Sequence, residues 1–236
     1  MELFLTSQIG ATVKVNGRRI AGKISDRCGF LSQFKESLTA TRQMLYISST
    51  PAFDKKVLDW FHHTIAALEN EDIHFDKYLF VNGQNSAKLR DLVQQTDVIF
   101  LSGGHLPTQN QFFQKIGLRE ILKEFQGIIV AQSAGSMNCA DTVYVCPELP
   151  GESIDPNFAR FRPGLGLTKI NIIPHYNDNR EMILDGKRFY EDIIYPDTFM
   201  IPIYVVPDDS YIYIHGTTVN FMGEVYLYHN GTFGRL

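Results

Sequence analysis

The chain of 236 residues has only three cysteines, Cys28, Cys139 and Cys146. That is an odd number at no metal-ligand spacing, which argues against a disulfide framework and a zinc module. The cysteines are expected to pack as small hydrophobes in a reducing cytoplasm. No lysine- or arginine-rich block interrupts a net charge of −4, so nothing recommends a nucleic-acid partner. No apolar run approaches membrane-spanning length. The opening Met1–Leu5 lacks the basic flank and long apolar core of a secretion signal. Repeats, low-complexity tracts and linkers are absent as well. With 44% hydrophobic and 20% charged residues, the sequence reads as one domain, 1–236, with a sizeable core.

Through the first two-thirds, apolar β-branched runs alternate with amphipathic stretches. Leu3–Thr6, Gln43–Ser48, Tyr78–Val81, Asp97–Leu101 and Gly127–Ala131 read as strands. Ser32–Thr41, Asp54–Glu69, Ala87–Gln95 and Pro107–Phe125 read as helices, the last broken near Gly117. In 54–69, Val57, Leu58, Phe61, Ile65 and Leu68 recur at helical spacing. This alternation predicts an α/β protein, a three-layer α/β/α sandwich around a mainly parallel sheet. The last third changes character. Tyr204–Val206, Tyr211–Ile214, Thr217–Met222 and Glu224–Tyr228 are short strands separated by turn signals, expected to extend the same sheet in antiparallel fashion.

The most informative segment is Ile128-Ile129-Val130-Ala131-Gln132-Ser133-Ala134-Gly135-Ser136. An apolar run stops at a small-residue turn carrying one serine, and a helix-compatible stretch follows. That is the strand–turn–helix layout of a nucleophile elbow, with Ala131 where glycine is usual. A sharp turn lifts the hydroxyl above the sheet edge, and only small neighbours leave room for it. The helix start aims free N–H groups at the place where an oxyanion forms. The plain alternative is a serine capping a helix.

The loop Ser102-Gly103-Gly104-His105 also follows a predicted strand, at the carboxyl edge where ligands gather in parallel sheets. Its glycines allow a close backbone approach to a ligand. An oxyanion hole needs an N–H from such a loop beside that of the residue after the nucleophile, here Ala134. A serine nucleophile also needs a base. Of seven histidines, His175 stands out: it ends the apolar Ile170–Pro174 and precedes a polar loop. His105 belongs to the oxyanion loop, not opposite Ser133.

Taken together, Gly103-Gly104, Gln132-Ser133-Ala134-Gly135 and Ile173-Pro174-His175-Tyr176 resemble the peptidase E family of aspartyl dipeptidases. That family is related to the cyanophycinases and similar in fold to the class I glutamine amidotransferases. The resemblance implies Ser133 as nucleophile, His175 as base and, fifteen residues after the serine, Glu148 as the acid that orients the imidazole. It implies an oxyanion hole from Gly104 and Ala134, with Gly103 at the substrate. It also implies an arginine after the histidine loop to bind an N-terminal aspartate; the nearest match is Arg180. Asp178, Asp208 and Asp209 are rival acids, although Asp208-Asp209-Ser210 reads as a turn before Tyr211.

The expected reaction is acyl transfer on a short peptide, Asp-X dipeptides among them, without metal or organic cofactor, by a monomer or weak homodimer. Hydrolysis of a β-aspartyl or cyanophycin-like amide fits the same residues. A silent member of the fold that binds a peptide or protein is the competing class.

Overall fold

A computed structural model describes residues 1–236, apart from the side chains of Lys14, Arg18 and Arg19. Its centre is a seven-stranded sheet. In spatial order the strands are Thr218–Met222, Tyr211–His215, Glu2–Thr6, Ile128–Gln132, Val98–Leu101, Gln43–Ile47 and Lys77–Val81. The run from Glu2–Thr6 to Lys77–Val81 is parallel, and the two late strands join antiparallel. The molecule is thus an α/β protein with a mostly parallel sheet and antiparallel late strands.

The period of two along each strand divides two cores. Leu3, Leu5, Leu45, Ile47, Ile99, Leu101, Ile129 and Ala131 face one side. There they meet Phe112 and Phe113 of the helix Leu106–Lys115 and Met137 of the helix Ala134–Asn138. Phe4, Met44, Tyr46, Val98, Phe100, Ile128 and Val130 face the other. They pack on the helices Phe30–Ser37 and Lys55–Glu69 through an aromatic cluster that includes Phe4–Phe30, Phe34–Phe100 and Tyr46–Phe61. Asp54 caps the second of these helices by accepting the Lys56 N–H at 2.8 Å. The helical run 106–122 is broken at Gly117, whose φ of +62° suits glycine. No helix is long and apolar enough to cross a membrane.

One expectation needs correction. Tyr204–Val206 and Glu224–Tyr228 do not extend the central sheet. Ile203–Val206 and Tyr226–His229 belong to a second, four-stranded sheet, in the order Asn171–Pro174, Ile203–Val206, Tyr226–His229, Thr232–Arg235. The reason is the parallel pairing of Asn171–Pro174 with Ile203–Val206. A parallel partner lies far away in sequence, so turn signals, which mark neighbouring hairpins, do not reveal it. The hairpin Thr12–Val15/Arg18–Ala21 was also not expected from the sequence.

The elbow is held by close backbone packing. A Cβ on Gly135 would lie 2.5 Å from the carbonyl oxygen of Leu101 and 2.8 Å from that of Ser102. Overpacking of this kind costs roughly 1–3 kcal/mol. For a chain of this size Gly135→Ala is therefore expected to lower the melting temperature by about 3–10 °C in a thermal melt, whereas Gly117→Ala, where a Cβ meets nothing within 4 Å, gives only the smaller cost of its left-handed backbone.

Candidate active site

Ser133 follows the strand Ile128–Gln132 directly and precedes the helix Ala134–Asn138. Its backbone has φ +53° and ψ −119°, a region that non-glycine residues occupy at a cost of about 1–3 kcal/mol. The surroundings impose it. The Ser133 N–H donates to the Thr6 carbonyl at 3.0 Å. Buried Ser136 accepts the Thr6 N–H at 3.0 Å, and its hydroxyl has the carbonyls of Thr6 and Ala131 at 2.8 and 2.7 Å. One helical turn is thereby pinned to two strands. The Ser133 side chain makes no capping hydrogen bond. Its Oγ lies 2.9 Å from His175 Nε2 instead, which decides against the helix-cap reading.

His175 follows the strand Asn171–Pro174 and takes φ +59°. Its backbone N–H donates to Ser7 Oγ at 2.8 Å. Its Nδ1 lies 3.0 Å from Asp208 Oδ1. An ionised carboxylate only accepts, so Nδ1 carries the proton and Nε2 is left to accept from Ser133. Asp208 is held in turn: Ser7 Oγ donates to Oδ1 at 2.5 Å and Gln8 Nε2 to Oδ2 at 2.6 Å. Burial pushes the Asp208 pKa up, but the hydrogen bonds from His175, Ser7 and Gln8 and the proximity of His175 outweigh it and hold the group below its ordinary value. It is therefore an anion at neutral pH.

The strand Val98–Leu101 delivers Gly103 and Gly104 beside the serine. A Cβ on Gly103 would come 3.2 Å from Ser133 Cβ and 3.8 Å from Oγ, and one on Gly104 would overlap the Ser49 side chain. Ala134 opens its helix, so its N–H has no partner within it. A buried amide network backs this wall. Gln109 donates to the Ser102 carbonyl at 2.7 Å, Asn138 to Gln109 Oε1 at 3.1 Å, and Asn110 to Asn138 Oδ1 at 2.9 Å. The cleft in front of Ser133 has a volume of about 330 Å³, with Gln8, Thr12, Trp60, Asp178 and Asn179 among its walls. A larger hollow of about 450 Å³ lies at the opposite end of the sheet, around Arg42, Asp97 and Gly127, and contains none of these groups. Its lining pairs the Ser37 hydroxyl with the Glu2 carboxylate but holds no histidine and no strand-to-helix elbow, so the smaller cleft is the candidate site.

Residues 31–222 match the family model of Peptidase family S51. The chain belongs to peptidase family S51. No curated protein matches it. Among solved structures it is similar to a putative peptidase E protein from Listeria monocytogenes EGD-e, with a TM-score of 0.62 and 17% identity, over 93% of this chain and 96% of that one. At such identity the likeness is one of fold, that of a mixed, mostly parallel α/β sheet.

Within this S51 chain the sequence-expected Ser133, His175, Gly103, Gly104 and Ala134 gather at one end of the sheet. Two others do not take the places expected of them. Glu148 makes no hydrogen bond with His175; Asp208 occupies the Nδ1 side. The register explains it. Pro174 pairs with Val206, so His175 and Asp208 leave adjacent parallel strands at nearly the same level. Glu148 sits in a separate loop whose N–H groups, at 148 and 149, donate to the Glu152 carboxylate at 2.8 and 2.9 Å. Arg180 does not line the cleft. It lies on the surface, its side chain 61% exposed, and it pairs at 3.7 Å with the still more exposed Glu181. His105 bonds Thr108 at 2.8 Å and not Ser133.

The sequence reading missed Ser7 and Gln8, which follow the first strand and hold Asp208. A polar pair directly after a buried strand at the carboxyl edge was the available signal. His175, Asp178 and Asp208 offer ligand atoms within 4.8 Å of one another. Both imidazole nitrogens and both Asp208 oxygens are already engaged, so a cation there would displace the Ser133–His175–Asp208 bonds. The buried thiols of Cys139 and Cys146 have pKa values raised by desolvation and are unsuited to nucleophilic work.

Glu148 has a different signature. Although the residue as a whole keeps exposed surface, desolvation of its carboxyl and the nearby Glu152 push it up to about 7, with His175 pulling the other way. From its ordinary 4.5 up to about 7, the folded chain holds a proton that the unfolded chain has lost. The contribution of Glu148 to stability therefore falls as pH rises through that window. Glu148→Gln is expected to melt higher than the parent at pH 8, with the gap closing near pH 4.5. An unchanged gap across that range would remove the raised pKa.

Proposed function

We propose that this S51 peptidase hydrolyses short peptides by acyl transfer, with Ser133 as nucleophile, His175 as general base and Asp208 as the acid that orients and stabilises the imidazole. The observation that carries this reading is the unbroken line from Ser133 Oγ to His175 Nε2 at 2.9 Å and from His175 Nδ1 to Asp208 at 3.0 Å. His175 takes the serine proton as Oγ attacks the peptide carbonyl. The imidazolium so formed is stabilised by the Asp208 anion. The N–H groups of Gly104 and Ala134 receive the oxyanion, at a typical worth of 10²–10³ in rate for each donor. His175 then protonates the leaving amine, and water, activated by the same imidazole, releases the acyl group.

The cleft volume of about 330 Å³ is at the lower end of small-molecule sites, roughly 300–1,000 Å³, which favours a short peptide over a folded protein. The reaction calls on no metal or organic cofactor. The reading does not include recognition of an N-terminal aspartate by Arg180, because that side chain stands outside the cleft.

A fluorophosphonate probe is expected to label Ser133 in the parent and to leave Ser133→Ala unlabelled. In a dipeptide screen Ser133→Ala should abolish turnover. Asp208→Asn should lower kcat by on the order of 10³–10⁴, with the Michaelis constant little changed. Arg180→Ala should change kcat/KM less than twofold. An Asp208→Asn variant of full activity would return the acid's role to another carboxylate. A parent that neither labels nor cleaves would mark a silent, peptide-binding member of the fold.

A further inference from the structure

We propose that Tyr176 is a positioning residue for the reaction: its ring, set among Tyr190, Tyr226 and Phe233, fixes the left-handed backbone that presents His175 to Ser133 and Asp208. The inference rests on the peptidase reading above and concerns the base of that same site.

His175 has φ +59° and ψ +40°. A residue with a Cβ leaves that conformation unless its surroundings impose it. An extended His175 would continue the strand Asn171–Pro174 and carry its imidazole off the line from Ser133 to Asp208. On one side the backbone is held by Ser7, whose Oγ accepts the His175 N–H at 2.8 Å. On the other side the bonds are local. The His175 carbonyl accepts the N–H groups of Asp178 and Asn179, both at 3.0 Å, and the Asn179 amide donates to the Pro174 carbonyl at 3.1 Å. These bonds close the single helical turn Tyr176–Asn179. One turn does not hold its own shape in water, so it has to be fastened to the body of the protein. Tyr176 is its first residue.

The centre of the Tyr176 ring lies 5.4 Å from that of Tyr190, 5.2 Å from that of Tyr226 and 5.6 Å from that of Phe233. The planes are inclined by 81°, 46° and 33°, edge-on or tilted, and all three spacings fall in the range that aromatic pairs favour. The receiving surface is itself ordered. Tyr226 and Phe233 stack at 5.1 Å from neighbouring strands, and Tyr190 is buried beside them. Tyr226 also pairs with Val205 in the sheet, three residues before Asp208. One ring thus ties the backbone of the base to the strands that carry the acid. None of the four rings is among the described walls of the cleft, so Tyr176 acts on a substrate only through His175. Misplacing a catalytic group by about 1 Å costs on the order of 10² in rate.

The test compares Tyr176→Ala and Tyr176→Phe with the parent, in the dipeptide screen and with the fluorophosphonate, well below the melting temperature of each variant. Tyr176→Ala is expected to lower kcat by roughly 10- to 100-fold with the Michaelis constant within about threefold, and to slow labelling of Ser133 by a similar factor. Tyr176→Phe keeps the ring contacts and should restore both rates to within about twofold of the parent. Phe233→Ala, which opens the nest from its far side, should fall between them; should Tyr176→Ala not fold, it carries the same test. Phe199→Ala removes an exposed ring that packs on Tyr195 and should match the parent. Proton NMR adds a signature from His175 itself: the Nδ1 proton held by Asp208 should be seen in the parent and in Tyr176→Phe, and be lost to exchange in Tyr176→Ala.

A Tyr176→Ala variant with the parent's kcat would overturn the proposal. So would equal losses in Tyr176→Phe and Tyr176→Ala, which assign the effect to the hydroxyl, or an equal loss in Phe199→Ala, which assigns it to general destabilisation. If the parent neither cleaves nor labels, the Nδ1 proton decides. Its loss in Tyr176→Ala but not in Tyr176→Phe keeps the proposal for the backbone of His175 while the peptidase reading falls. Its persistence in Tyr176→Ala, or its absence from the parent, ends both.

Discussion

The alignment of two short parallel strands governs the site. Asn171–Pro174 and Ile203–Val206 pair with Pro174 level with Val206, and each chain then leaves the sheet into a polar segment. A shift of one residue would turn every side chain to the opposite face and carry Asp208 away from the imidazole. Ile203 and Val205, two residues apart on one face of their strand, are both fully buried in the same core and favour this register. The apolar core thus positions the polar site. An imidazole and a carboxylate from segments more than thirty residues apart are brought within hydrogen-bond reach by the burial of the aliphatic residues preceding them.

The nucleophile side relies on polar groups that never meet solvent. Ser136, Gln109, Asn110 and Asn138 are almost wholly buried, and each spends its hydrogen-bonding capacity on the elbow, on the glycine loop or on the others. Leaving such a group unpaired costs about 1–3 kcal/mol. The network therefore favours the single arrangement in which all are satisfied. This constraint, together with the close approach of Gly135 to the carbonyls of Leu101 and Ser102, offsets the strained backbone at Ser133. The rigidity needed for a preorganised oxyanion pocket comes from interior amides and hydroxyls as much as from hydrophobic packing.

What was legible in the sequence follows from how far apart the interacting residues are. The strand–helix alternation, the break at Gly117 and the elbow at Ser133 are local patterns, and they appear where the sequence placed them. His175 was also locally marked, as a polar residue closing an apolar run. Its acid was not. The spacing implied by the family pattern led to Glu148, a loop residue, while Asp208 looked like part of a turn. It does lie at one, since Asp209 beside it has φ +68°; but a parallel pairing, which leaves no turn between its strands, also gives Asp208 the imidazole. Ser7 and Gln8 were overlooked for the same reason, because their partner lies some two hundred residues later. Arg180 was two residues too far along: the short helix Tyr176–Asn179 swings it out to water and leaves Asp178 lining the cleft.

That separation also bears on the order of events during synthesis. Ser133 and His175 are translated well before Asp208, and Asp208 must find Ser7 across a sequence distance of 201 residues. Contacts of such high order form late, because a long loop has to close before they contribute anything. A nascent chain that has emerged only as far as His175 holds Ser133 and His175 without the anion that bonds the imidazole. The complete line of hydrogen bonds from Ser133 through His175 to Asp208 therefore arrives only with the final third of the polypeptide, when Ser7 and Asp208 meet.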